Sequence, residues 1–424
     1  MKILLTGGPV HAKLDAVKVV TNKFKGGLMA KLASELAEFA DVTYLCSKGS
    51  SLPKNGFDAD TVWTPEKGRA AVQLEYHDGF HDYHEKVLKM APFFDVVILG
   101  GAVANLIPVC YHREPKNEDE NRRVLDAGLY DFIEEPLPLT GKFPSHDYEP
   151  GDIIRMDWTI APRVIDEVKA LMKPGAHLFG FKLLGGAEHD ELISAAYETL
   201  LGSKATMVFA NDATDLQKVY AVGKDRSEHP FPREELCSRI LELCEDEYYR
   251  TEAAEGVHWT ERAHEDALDK IHSCVDKNRM LVTPEGYVFG TVAIRISTDD
   301  GNKYRFITTA RGKNELSEAV CVVDVDHEKR VVYTVGGKKA SLNAPLLHKL
   351  FTEGKWIPKF IEHYHDQVDG LATEPYAPPG TVRDSVRPSR ETNNLVRFSE
   401  EKGWSFNIEG HGCFLLFDCE GHQL

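Results

Sequence analysis

The hydrophobic positions of this chain change rhythm near its middle. In the first half, apolar runs at residues 3–6, 41–46, 95–100, 177–182 and 205–210 are separated by stretches with helical spacing. Strands that are apolar throughout are buried on both faces, so this alternation predicts a parallel sheet with helices on both sides. Leu28, Leu32 and Leu36 recur every fourth residue, which predicts a helix starting just after Thr21-Asn22-Lys23-Phe24-Lys25-Gly26-Gly27. In the second half, residues 234–250 and 263–278 read as helices. After them come β-rich runs at 287–297, 303–309, 320–326 and 330–335, joined by short polar turns that include residues 299–302. That order predicts an antiparallel sheet flanked by helices. Between the halves, Arg226-Ser227-Glu228-His229-Pro230-Phe231-Pro232 places two prolines after a polar run, which suits a boundary between domains spanning 1–228 and 233–424.

Composition narrows the picture. A chain of 424 residues is too long for one ordinary core, and its 42% hydrophobic content is enough to fill two or three. Lys+Arg 50 against Asp+Glu 67 gives a net charge of −17, which argues against nucleic acid or an anionic membrane as the main partner. The opening apolar run is too short for a signal peptide, and no later segment is apolar for long enough to span a bilayer, so a cytoplasmic protein is expected. The eight cysteines form no Cys-x-x-Cys pair and are expected to be reduced thiols.

Two stretches carry candidate chemistry. His363-Tyr364-His365 holds two imidazoles at i and i+2, which in a strand project to the same face, and Gly410-His411-Gly412 offers a third from later in the chain. Three neutral imidazoles with one open position suit a catalytic divalent metal, zinc above all; a surface or core histidine pair is the plainer reading of the spacing. The other stretch is Thr6-Gly7-Gly8-Pro9, directly after the first apolar run. Glycines there let backbone N–H groups approach a phosphate, with a helix N-terminus adding its dipole, although the same residues also make a plain turn.

The first half resembles the phosphopantothenoylcysteine synthetase family, the nucleotide-dependent ligase of coenzyme A synthesis. The resemblance rests on Leu4-Leu5-Thr6-Gly7-Gly8-Pro9, Leu14-Asp15-Ala16-Val17-Lys18, Thr21-Asn22, Gly101-Ala102-Val103-Ala104-Asn105, Gly141-Lys142-Phe143-Pro144-Ser145, Gly180-Phe181-Lys182-Leu183 and Ala210-Asn211-Asp212, in the family's order. It implies a Rossmann-like domain that condenses a phosphopantothenate-like acid with cysteine, using CTP or ATP and magnesium. It also implies that Asn22 holds the acyl intermediate and that Lys142 neutralises phosphate charge. Gly7, Gly8, Ala102, Asn105, Phe181, Lys182 and Asn211 would line the nucleotide crevice. Asn105-Leu106 stands where the family has an Asp followed by an aromatic residue, which removes an acidic group near the nucleotide. The segment 110–138 is acidic and reads as a solvated face.

The second half resembles the class II aldolase and adducin head family. Its matching segments include Gly290-Thr291-Val292-Ala293-Ile294-Arg295, Phe306-Ile307-Thr308-Thr309-Ala310-Arg311-Gly312, Lys339-Ala340-Ser341-Leu342-Asn343, His363-Tyr364-His365, Pro378-Pro379-Gly380-Thr381 and Gly410-His411-Gly412. This implies an α/β domain with a mainly antiparallel sheet and a metal, zinc or another divalent ion, held by His363, His365 and His411. The metal would act as a Lewis acid on a small hydroxy-carbonyl compound. Asn343 occupies the position of the family's catalytic Glu and cannot exchange a proton near neutral pH. The expectations are therefore a bifunctional ligase and metal-dependent lyase or isomerase, or an adducin-like assembly protein that has lost catalysis. A homo-oligomer acting on small molecules is expected in either case.

Overall fold

The computed structural model of the chain describes residues 1–58, 71–115, 118–120, 132–255, 261–284, 286–296, 305–313, 318–335, 337–353, 357–386, 396–399 and 403–417. The expected turn at 299–302 and Cys419 lie outside the described residues. The chain forms two compact units, Met1–Leu183 with Glu198–Asn211, and Leu184–Tyr197 with Asp212–Leu424.

The first unit is built on a parallel sheet. Lys2–Gly7 lies between Asp41–Ser47 and Val96–Leu99, with Leu4 opposite Thr43 and Val97; His177–Leu184 continues past Val96–Leu99, and Val72–His77 past Asp41–Ser47. Ile3, Leu4, Leu5, Val96, Val97 and Ile98 are wholly buried, which is why these strands read as unbroken apolar runs. The helix Gly27–Leu36 buries Met29, Leu32, Ala33 and Leu36. The acidic segment taken for a solvated face is partly structural. Leu106–Arg113 is the centre of a three-stranded antiparallel sheet, between Ile133–Pro136 and Arg155–Ile160. Arg113 reaches back to both Glu120 and Glu135.

The second unit holds a long sheet. Its order runs Arg250–Ala253, Val331–Val335, Ala319–Asp326, Arg305–Thr309, Thr291–Ile296, Phe360–Tyr364, Gly412–Phe417, Gly403–Ile408 and Thr373–Glu374. The pairing is antiparallel along the centre, as expected, and parallel at both ends, where Arg250–Ala253 joins Val331–Val335 and Thr373–Glu374 joins Gly403–Ile408. The helix expected over 234–250 stops at Cys244, because Arg250–Ala253 is drawn into the sheet; a β-prone Tyr-Tyr-Arg-Thr run suits that choice. The proline segment itself forms a strand. Glu228–Pro232 pairs with Lys218–Val222 as an edge strand, and an edge tolerates the missing N–H groups of Pro230 and Pro232.

Core packing follows the pleat. Ile361, Ala293, Phe306, Phe351 and Phe414 meet on one face, and Phe360, Tyr364, Ile294 and Leu415 on the other. His363 lies on the face of Ile361, and His365 follows just past the strand end at Tyr364.

Candidate functional site

The three-histidine site is assembled by strand register. Phe360–Tyr364 runs antiparallel between Thr291–Ile296 and Gly412–Phe417, which sets Thr291 opposite His363 on one side and Phe414 opposite it on the other. The tight turn before Gly412–Phe417 returns His411 to the same place. Gly412, at φ +118, packs so closely on the Tyr364 carbonyl that no side chain would fit there. The ring centroids stand 5.1 Å apart for His363 and His365, 4.6 Å for His363 and His411, and 5.3 Å for His365 and His411. One ring nitrogen from each lies within 4.8 Å of the other two.

The hydrogen bonds decide what these rings can offer. Nδ1 of His363 lies 3.0 Å from the Cys413 carbonyl, which can only accept, so Nδ1 carries the proton and Nε2 is left with a lone pair. That Nε2 is buried and has no partner within the protein. Nε2 of His411 lies 2.7 Å from the Asp225 carboxylate as an ion-pair contact, and both of its ring nitrogens are buried without a hydrogen-bond partner. Burial, and then the neighbouring imidazoles, hold His363 well below its usual pKa; burial and His411 lower His365 to about 3. The buried, unpartnered ring nitrogens of His363 and His411, with one of the half-buried His365 within 4.8 Å, fit a divalent cation, because an orphaned lone pair otherwise has no favourable use.

Three neighbours were not evident in the sequence. Asp225 is buried in the turn between Lys218–Val222 and Glu228–Pro232. Its Oδ1 accepts from Ser227, whose hydroxyl also lies 3.1 Å from that of Tyr376. Gly223 leaves no space for a methyl group against Asp225 and Ser227. Asp225 stands just before the run Arg226–Pro232 that reads as a boundary, and no local pattern links it to a histidine 186 positions later. Lys313 is the third: it is almost wholly buried, donates to the Gly290 carbonyl at 2.6 Å, and is lowered by burial to about 8.

Asn343 precedes the helix Ala344–Thr352. It is buried beside Thr291 and Ser341, which are joined at 2.9 Å, and its Oδ1 has no partner. Thr291, whose hydroxyl lies 3.5 Å from the Asn343 amide nitrogen, is in turn the register neighbour of His363.

In the first unit, four of the expected nucleotide residues converge at the carboxyl end of the first strand. The Gly8 carbonyl accepts from Ala102 at 2.9 Å, and the Asn22 amide donates to the carbonyls of Ala102 and Val103 at 3.0 and 3.1 Å. Gly7 precedes that turn. Gly8 and Gly26 both have φ near +80, and a Cβ on Gly26 would lie 2.3 Å from the Gly8 nitrogen. The start of the helix Gly27–Leu36, with no side-chain cap, is therefore packed backbone to backbone against the glycine turn. Lys142 is exposed, in a loop tied down on either side: Gly141 accepts from Ala16, and Phe143 donates to the buried Asp15. Phe181 packs on Phe209 at 5.3 Å, Lys182 is half-buried, Asn211 is buried, and Asn105 is exposed with its carbonyl bound to Ala161.

No protein-family model matches the chain. It is 28% identical over 232 residues to the coenzyme A biosynthesis bifunctional protein CoaBC of Thermococcus kodakarensis, a match covering 53% of this chain and 45% of that protein. The chain thus spans less than half the length of this relative. Among solved structures, it is similar to a DNA/pantothenate metabolism flavoprotein from Streptococcus pneumoniae, at 20% identity and a TM-score of 0.43, covering 57% of this chain and 97% of that one. The C-terminal domain of a CoaBC protein matches at 20% identity and a TM-score of 0.36, covering 57% and 92%. The N-terminal half, which carries the glycine turn, thus resembles the coenzyme A bifunctional protein, whereas the aldolase-like reading of the second half rests on its own residues.

Proposed function

We propose that the first unit is a phosphopantothenate–cysteine ligase that takes CTP or ATP with magnesium at the end of the parallel sheet. The observation that carries this is the contact of Gly8 with Gly26, in the half of the chain that resembles CoaBC. It brings an uncapped helix N-terminus onto the strand-end turn, where N–H groups and the helix dipole favour phosphate. Asn22, held by Ala102 and Val103, would orient the acyl intermediate, and Lys142 would neutralise phosphate charge as a point cation. A ligand that binds only the folded state raises stability by about 2.7 kcal/mol at a hundredfold excess over Kd. CTP or ATP with magnesium should therefore raise the Tm, and multiple-turnover release of pyrophosphate should require both phosphopantothenate and cysteine, with at most one equivalent released when cysteine is left out. No shift with either nucleotide rules the reading out.

A second reading concerns the three histidines. His363, His365 and His411 would hold one zinc or other divalent ion, which supplies Lewis-acid polarisation of a carbonyl oxygen. The residues around it orient rather than transfer protons. The Cys413 carbonyl and Asp225 fix two rings, and Asn343 can donate a hydrogen bond but cannot act as a base. The unit is thus a metal-binding domain with weak ordinary aldolase activity. Asn343→Glu should leave metal content unchanged and raise cleavage of a ketose phosphate; vigorous turnover by the unmodified protein would overturn this assignment.

A further inference from the structure

A second cluster of metal-ligating residues lies in the first unit, away from the glycine turn and on a different sheet. On the central strand Leu106–Arg113, Cys110 and His112 stand at i and i+2 and project to one face. Register adds their cross-strand neighbours, with Asp157 opposite Cys110 on one flank and Glu134 opposite His112 on the other. The side chains meet. Nε2 of His112 lies 3.1 Å from Oδ2 of Asp157, the Cys110 sulfur lies 3.7 Å from the same oxygen, and sulfur and imidazole are 3.9 Å apart. One donor atom from each of these three falls within 4.8 Å of the others.

We propose that Cys110, His112, Asp157 and Glu134 form a binding site for a thiophilic divalent cation, of which zinc fits best.

The donor set is the first argument. One sulfur, one imidazole nitrogen and carboxylate oxygens are the ligand types of tetrahedral zinc, whereas magnesium and calcium take oxygen alone. Charge is the second. Register sets the Asp157 and Glu134 carboxylates on either side of Cys110 and His112, so two acidic groups crowd a buried thiol. The guanidinium that the register brings to this face belongs to Arg155, and it stacks on the Phe132 ring at 4.0 Å. Arg113 is engaged by Glu120 and Glu135. A divalent ion would neutralise the two carboxylates and draw the sulfur, the imidazole and the carboxylate oxygens into one coordination sphere. The site lies on a strand whose Pro108–Cys110 irregularity re-aims the side chains that follow it, a device common beside functional positions.

The test uses the full-length chain and does not depend on the three-histidine reading. In a His363→Ala/His365→Ala background, metal-stripped protein is reloaded with cobalt(II). One ion per chain should bind, with a thiolate-to-cobalt charge-transfer band in the near ultraviolet, and Cys110→Ser should abolish the band and lower affinity at least tenfold. His112→Ala should also lower affinity while leaving the circular dichroism spectrum unchanged. In the unmodified protein loaded with zinc, X-ray absorption should show a sulfur neighbour at about 2.3 Å. Absence of both the band and the sulfur neighbour, or their survival in Cys110→Ser, overturns the proposal and leaves His112–Asp157 as an ordinary ion pair.

Discussion

Replacing Asp225 by Asn is the sharpest probe of the three-histidine site. The substitution keeps the shape of the side chain and removes its charge. Asp225 Oδ2 stands 2.7 Å from Nε2 of His411, both groups are buried, and the other carboxylate oxygen is held by Ser227. A proton on Nε2, facing the carboxylate, would leave Nδ1 as the donor, and the negative charge beside the ring would strengthen it. An uncharged amide can still accept a hydrogen bond but cannot stabilise the positive charge that builds on the ring when it coordinates. Loss of such a partner typically costs 10- to 100-fold in metal affinity, or about 1.4–2.8 kcal/mol at about 1.4 kcal/mol per decade. Zinc affinity measured by chelator competition should weaken by that factor in Asp225→Asn, and by much more in His365→Ala, where a ligand itself is gone. The Tm of the metal-free protein should be read in parallel, since a purely structural role would change that value alone. Unchanged zinc affinity in Asp225→Asn, alongside a lowered metal-free Tm, would refute the orienting role.

Other consequences follow from burial and backbone geometry. Phe351→Ala, at a fully buried position packed on Phe306, should cost about 3–5 kcal/mol in denaturant unfolding, with the slope unchanged. Gly8→Ala should destabilise the first unit by more than about 1 kcal/mol, because φ is +75 and the new Cβ would meet the Ser50 hydroxyl; the nucleotide-induced Tm shift should fall with it. Burial lowers His77 to about 4 from an ordinary value near 6.5, and both its ring nitrogens are buried without partners. The unfolded chain therefore binds a proton there that the folded chain refuses, so stability is fully present above pH 6.5 and is lost as the pH falls towards 4. The drop in Tm across that window should be smaller in His77→Asn, and an identical drop would assign the acid sensitivity elsewhere.

The sequence by itself determined the elements whose rhythm is local. Unbroken apolar runs gave the buried parallel strands from Lys2–Gly7 to Met207–Asp212, and the i+4 leucines gave the helix Gly27–Leu36. His363-Tyr364-His365 already fixed two donors on one face, because side chains in any strand alternate with period two. Local rhythm fails where distant backbone decides. The helical spacing over 234–250 stops at Cys244, and Arg250 instead opens a strand paired with Val331–Val335, while Pro230 and Pro232 sit in an edge strand. The same holds for chemistry. Asp225 reaches His411, and Asp157 reaches Cys110, through register and turn geometry that no spacing rule encodes. Sequence fixes which donors a strand can present and on which face; only the fold decides which lone pairs are left buried and unmatched, and a cation is held by those.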